Sequence, residues 1–293
     1  MKLMLAARAG TLVALLTCSQ GCGNRSKGVG KSDAVVAIPL TRSISFRAKQ
    51  VVDPDSASDK TELTLSMAAI DELPEGPTGF DVMSDGGFLI TDPLRARLVS
   101  YNSQGAFRWD LPIQYRAETV RILVSGDLEI VNAIDSKRYL HVRDAQGNFG
   151  PPQLVAAGQV SAAQAEAGTS RLINAAHGSV TDFPGSGPPG SPIEVFFEAP
   201  GRRMVSLRRL GKDAQGNSYV ALESAADSSS IDVQTIIRKY APDGREIGET
   251  AGILSDSIVQ LVEEFRERAG ILYQMVTHAT EVRIQVWDTN GVR

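Results

Sequence analysis

The amino-acid sequence predicts an all-β fold: a β-propeller, most simply of six blades with about four antiparallel strands each, preceded by a signal peptide and a short tether. Three observations point there. Apolar and polar residues alternate over short runs separated by Asp/Gly turns, which is the period of half-buried antiparallel strands. A turn glycine recurs at Gly105, Gly147, Gly201, Gly244 and Gly291, at intervals of 42, 54, 43 and 47 residues. A period of ~40–50 residues with several strands per unit marks a propeller. The composition, 22% charged and 42% apolar over 293 residues, is that of a soluble globular chain and excludes collagen-like, coiled-coil or wholly disordered architectures.

From the N-terminus, residues 1–21 carry Lys2 and Arg8 ahead of an apolar stretch from Ala9 to Thr17, and small residues then lead to Cys22. That is the layout of a secretory signal peptide, and the stretch is too short to span a bilayer. A cysteine at the cleavage point resembles the lipobox of bacterial lipoproteins, which implies that the cysteine becomes the lipid-bearing first residue of the mature chain. The resemblance places the lipid on Cys22, behind the small residue Gly21; Cys18, with Leu15 three positions before it, is the alternative. No other cysteine occurs, so the remaining chain has no disulfide and no cysteine metal site. Cleavage also removes Lys2 and Arg8, which moves the net charge from −4 to −6 with 28 basic and 34 acidic residues left. Such a chain has no basic surplus to neutralise phosphates, which argues against nucleic acid as a partner. Residues 22–32 are polar, glycine-bearing and aperiodic, a flexible tether. GVGKS within them lacks the upstream glycine of a phosphate loop. No later run approaches the ~20 apolar residues of a membrane helix, leaving lipid as the membrane attachment.

Residues 33–293 then divide into units. The first clear one spans about 77–112: Phe80 and Val82 alternate into the turn Asp85-Gly86-Gly87, Phe88 and Ile90 alternate out of it, and Leu98–Tyr101 follows the break at Asp92-Pro93. The turn from Asn102 to Gly105 leads into a fourth strand with Phe107 and Trp109. Unit 117–155 repeats the plan with expected strands at Val120–Val124, Leu128–Val131 and Tyr139–Val142. A degenerate unit at about 170–201 retains Ile193–Phe197. The alanine-rich segment Ala156–Ala176 suits a short helix or a blade-joining loop, and the Gly/Pro/Ser run Phe183–Pro192 an exposed loop. Unit 203–250 has expected strands at Val205–Leu210, Tyr219–Leu222 and Ile236–Tyr240, and unit 256–291 at Ile258–Val262, Ile271–Val276 and Val282–Trp287. Over Ser257–Arg268 the spacing of Ile258, Leu261, Val262 and Phe265 also suits a helix; the repeat register selects the strand. Val35–Val52 and Leu63–Met67 have strand character and supply either a sixth blade or the strand that closes the ring. Five or seven blades, or a sandwich, are the competing arrangements.

Residues 77–102 resemble an NHL repeat. Pro77, Gly79, Val82, Asp85, Gly86, Asp92, Arg97, Leu98 and Tyr101 fall on its motif positions without a gap. Elsewhere the likeness thins to Asp213–Leu222 and Ile237–Gly244. The resemblance implies a propeller. Since the family hosts binding modules and enzymes alike, it does not choose an activity.

Few residues suggest chemistry. His141, His177 and His278 fall in three different units, and the resemblance to propeller lyases implies a zinc held by one histidine per blade; their strand phases differ, which opposes it. DAQGN occurs at Asp144–Asn148 and again at Asp213–Asn217, and turn formation accounts for all five residues better than calcium does. Asp81, Asp85 and Asp92 are explained by turns and repeat positions rather than by acid/base work. Arginines are the remaining signal. Arg95, Arg97, Arg108, Arg116 and Arg121 form one cluster and Arg202, Arg203, Arg208 and Arg209 another. Arg95, Arg97 and Arg108 beside Tyr101 and Trp109 are the candidate recognition patch for an envelope protein or polysaccharide. These features predict an exported, lipid-anchored, non-catalytic binding or scaffold module of the bacterial cell envelope (outer membrane or periplasm), without cofactor. The alternative is a periplasmic lactonase- or lyase-type enzyme with calcium or zinc.

Overall fold

A computed structural model describes residues 35–51, 59–66, 74–156, 169–181, 192–226, 229–254, 257–259 and 264–290. The signal and tether, with Cys18 and Cys22, lie outside the described residues. So do Gly291, residues 157–168 of the alanine-rich segment and 183–191 of the Gly/Pro/Ser run. Among the described residues the chain is all-β, with one 3-10 turn at Pro93–Arg95 and no α-helix.

Five sheets follow one another along the chain. The first is an antiparallel meander of Phe80–Val82, Phe88–Asp92, Arg97–Tyr101 and Phe107–Pro112. The second runs Ala117–Ile122, Leu128–Asn132, Arg138–His141 and Gln153–Leu154. The third has Thr169–Asn174, His177–Thr181 and Ile193–Phe196. The fourth has Arg202–Lys212, Ser218–Ala226, Ser229–Tyr240 and Glu246–Thr250, with Val36–Ile38 added in parallel at its edge. The fifth has Phe265–Arg268, Ile271–Thr277 and Glu281–Asp288, then Leu40–Gln50 and Leu63–Leu65.

The turns obey the residues at them. Asn102, Asp144 and Asp213 each accept, on one carboxyl or amide oxygen, the backbone N–H groups two and four positions on. Gly105, Gly147, Gly201 and Gly244 take positive φ, between +71° and +92°, which side-chain-bearing residues resist. At Gly79 the demand is spatial: a Cβ there would lie 2.7 Å from the Glu118 carbonyl oxygen of the second sheet. Thr78 donates its hydroxyl to that same oxygen at 2.7 Å, so the two sheets touch through backbone at this point.

Core sits between successive sheets. Phe88, Ile90, Val99 and Tyr101 face the fifth sheet, where Phe46, Tyr273, Met275 and Ile284 meet them; Phe46 lies 4.6 Å from Tyr101 and 5.7 Å from Phe88, centroid to centroid. Leu89 and Leu98 point the other way, onto Val120, Leu128 and Ile130 of the second sheet. Both faces of these inner strands are therefore buried, which is why apolar residues also stand next to one another in them, at Phe88–Ile90 and Leu98-Val99. Val195 and Met204 join the third sheet to the fourth, and Tyr219, Leu272 and Trp287 the fourth to the fifth. Each fully buried large side chain of this kind contributes about 1.5–3 kcal/mol. The first strands of the sheets are also neighbours: Phe80–Val82 lies beside Ala117–Ile122 and beside Phe265–Arg268, which lies beside Arg202–Lys212, which lies beside Thr169–Asn174.

One of two open roles is taken up and one expectation changes. Val35–Val52 and Leu63–Met67 build no sixth sheet among the described residues; Leu40–Gln50 pairs antiparallel with Glu281–Asp288, because Ile44, Phe46 and Ala48 complete the apolar face that the C-terminal meander leaves open. Over Ser257–Arg268 the strand is Phe265–Arg268, while Ile258 and Val259 lie outside it and pack against or within the core as an irregular segment.

Candidate functional site

A groove of about 440 Å³ opens between the first two sheets, on the end that carries the hairpins joining their first and second strands. Met83, Ser84 and Asp85 come from one hairpin, Leu123, Val124 and Gly126 from the next, and Arg268 from the end of the first strand of the fifth sheet. Leu89, Trp109, Ile122, Leu128 and Phe149 make the floor and walls; the Trp109 and Phe149 rings lie 5.9 Å apart at 47°.

Trp109 reaches the groove through a bulge. Tyr101 pairs with Phe107 and Ser100 with Trp109, so two steps on one strand oppose one on the other and Arg108 is the extra residue. Simple alternation puts Phe107 and Trp109 on one face. The bulge instead sends Phe107 to Tyr101, 6.3 Å away on the side of the fifth sheet, and Trp109 to the side of the second.

Arginines rim this apolar floor. Arg108 pairs with Asp85 at 2.6 Å and lies 3.7 Å from the Met83 sulfur. The Asp85 carboxyl is held below its ordinary range by the Gly87 N–H and then by Arg108. Arg143 sits over the Phe149 ring, 5.8 Å from its centroid, and donates from Nε to the Gly147 carbonyl at 3.2 Å. Arg268 donates to the Val82 carbonyl. Three arginines against one aspartate give the lining a charge of +2 in a chain of net −4. Ser84 is the lone hydroxyl of the lining, and its one carboxylate is already engaged.

The candidate patch read from the sequence splits. Arg108 and Trp109 line the groove, but Arg95, Arg97 and Tyr101 do not. Arg97 is 3% exposed and turns inward to Asp92 at 2.9 Å, Asp110 at 3.3 Å and the carbonyls of Lys60 and Glu62. Tyr101 is 2% exposed and donates to the Thr61 carbonyl; burial raises its pKa. Arg95 donates to the Asp59 carbonyl at 2.9 Å. All three pin the segment 59–62 onto the first sheet. Arg143, Phe149 and Arg268 were missed from sequence because they stand in other units; a cation next to an aromatic in the Arg143–Phe149 turn was the one local signal.

The histidines stay apart in role. The Nδ1–H of His141 donates to Gly150 and its Nε2 accepts from the Tyr115 hydroxyl at 2.7 Å, while burial lowers its pKa, so this neutral ring has no lone pair left for a metal. His177 stacks on Phe196 at 4.5 Å and bonds Glu194, and His278 lies in the turn after the second strand of the fifth sheet. The Asp144 oxygens close their own turn, and Asp213, besides closing its own, accepts from the Tyr219 hydroxyl at 3.0 Å and lies 3.7 Å from the Lys239 ammonium. In the second arginine cluster Arg202 is committed to Ser224 and Asp232, and Arg209 is buried.

No protein-family model and no curated protein sequence matches the chain. Among solved structures it is similar to BamB from Moraxella catarrhalis, at 9% identity and a TM-score of 0.34 over 86% of this chain and 100% of that one. It is similar also to virginiamycin B lyase from Staphylococcus aureus, at 10% and 0.35 over 72% and 94% of the two chains. A third is the calcium-binding protein regucalcin from Agrobacterium tumefaciens, at 10% and 0.30 over 72% and 91%. At these scores none of them assigns a family or an activity.

Proposed function

We propose that the chain is an exported, lipid-anchored, NHL-like β-propeller of five blades that acts as a non-catalytic binding module at the bacterial cell envelope, taking its ligand in the groove between the first two sheets. The observation that carries the reading is the groove itself, an apolar floor with an arginine rim and no acid/base or nucleophile pair in its lining. Five consecutive meanders, neighbouring first strands and an N-terminal strand completing the C-terminal sheet support the ring. The hydrophobic leader ending at Cys22, with Cys18 behind it, supports export and lipidation.

Metal analysis of purified protein, together with titration of a neutral aromatic probe, 4-methylphenol, tests the reading. The probe is expected to perturb Trp109 fluorescence, and the protein to carry no stoichiometric metal. Tightly held calcium or zinc would overturn the non-catalytic assignment in favour of a metal-dependent lactonase or lyase. No response of Trp109 at millimolar probe would overturn the groove as the site.

A further inference from the structure

The charge and shape of the groove define its occupant more closely than binding alone. Resting on the groove as the binding site, we propose that it receives an extended peptide segment of a partner protein in which an apolar side chain is flanked by carboxylates. The floor of Met83, Leu89, Trp109, Ile122, Leu128 and Phe149 takes the apolar group, and a volume of about 440 Å³ holds one large side chain with its backbone. Val124 stands fully exposed at the rim, adding apolar surface where a following residue would lie.

The rim selects the sign of charge. Among the described residues the guanidiniums of Arg143 and Arg268 meet backbone carbonyls, the backbone N–H of Arg143 donates to the Asp127 carboxylate at 2.7 Å, and Arg108 is matched by Asp85. Two guanidiniums therefore face the groove with hydrogen-bonding capacity beyond one carbonyl each, and a carboxylate is the group their planar donors fit best. A long polyanion is disfavoured by the net negative charge of the chain, −4 in full and −6 without residues 1–21, which limits the attraction to a short acidic stretch. A polysaccharide fits less well, because sugar hydroxyls need a dense set of side-chain donors and acceptors. Apart from the arginines, the lining offers only Ser84 and an engaged Asp85.

Three probes test the proposal by calorimetric titration of the purified soluble protein at low salt: the blocked peptide acetyl-Glu-Phe-Glu-amide, its Gln-Phe-Gln counterpart, and a galacturonate trimer. The acidic peptide is expected to bind about tenfold more tightly than the Gln peptide, a margin that closes toward unity at high salt and in R143Q/R268Q. R143Q alone, at an exposed position, is expected to remove about half of the margin on a logarithmic scale, and keeps the test intact where the double variant fails to fold. Equal binding of the two peptides, with 4-methylphenol still reaching Trp109, overturns the carboxylate inference and leaves the groove as a binding site. Failure of both peptides with 4-methylphenol still binding overturns the peptide occupant. Failure of all three probes and of 4-methylphenol overturns the groove reading itself. Tighter binding of the galacturonate trimer than of the acidic peptide overturns the peptide in favour of a glycan.

Discussion

Replacing Arg97 by Met removes the partner of a carboxylate that has no access to water. Asp92 is 0% and Arg97 3% exposed, and the guanidinium serves Asp92, Asp110 and the carbonyls of Lys60 and Glu62 together. Met retains most of the aliphatic volume, so the loss is electrostatic. Stripping one partner from a buried ion pair costs about 3–5 kcal/mol, since the remaining charge is left in a low-dielectric site. For a chain of this length that corresponds to a fall in Tm of roughly 6–20 °C. Circular dichroism with urea and thermal denaturation measures both.

The pH dependence supplies a sign. Burial pushes the Asp92 carboxyl up, against the opposing pull of Arg97. In R97M burial is opposed only by the Thr64 hydrogen bond and the Arg95 charge, so the folded-state pKa moves further above the unfolded one. The penalty is then present at neutral pH and relieved as the pH falls and the carboxyl takes up a proton. The gap between wild type and R97M should narrow from pH 7 toward pH 5, and D92N/R97M should regain part of the loss at pH 7. A loss below about 1 kcal/mol, or one indifferent to both pH and D92N, would refute the account of Arg97 as a buried strut. Were Arg97 a recognition residue, the variant would instead keep its stability and lose ligand.

Other outcomes follow from the same structure. G79A should cost about 2–3 kcal/mol, because its Cβ would meet the Glu118 carbonyl at 2.7 Å and the Thr119 Cα at 3.0 Å, both backbone atoms; an unchanged urea midpoint would contradict the close approach of the two sheets. Asp213 is buried beside Tyr219 and Lys239. Burial raises its pKa, but hydrogen bonds from Asn217 and Tyr219 and the charge of Lys239 outweigh it and hold the carboxyl below its ordinary range. That stabilisation is present above the unfolded pKa and lost as the pH falls through the folded one, so D213N should lower stability at pH 7 and flatten the acid limb of the stability curve below about pH 4. Replacing Cys22 by Ala should release the protein to the soluble fraction on cell fractionation while replacing Cys18 should not. Retention of both variants in the membrane fraction would refute the lipid anchor.

The strands of the first sheet were legible because their causes are local. Alternation at Phe80/Val82 and Phe88/Ile90 and the Asp85-Gly86-Gly87 turn depend only on backbone geometry and near neighbours, and the strands fall within a residue or two of where those signals put them. The third sheet was harder to read. Thr169–Asn174 keeps Leu172 and Ile173 about half exposed, so no apolar face imposed a period on its sequence. The irregular path of Ile258 and Val259 was illegible for the opposite reason: residues spaced to bury one face serve a helix, a strand or a packed loop equally.

By itself the sequence determined the all-β class, the Asp and Asn turns, and the candidate arginines and aromatics. Only the tertiary structure decided which of them face out. Arg97 and Arg108 lie in adjacent strands of one sheet and are chemically identical. The first points at the segment 59–62 and becomes a buried strut, while the second sits on a bulge and joins the groove. The bulge that sends Trp109 to Phe149 is a property of the pairing between two strands, and the groove needs residues from three sheets. Local propensity carries no information about which face of a strand a distant sheet will cover, and that packing divides structural residues from those left free to bind.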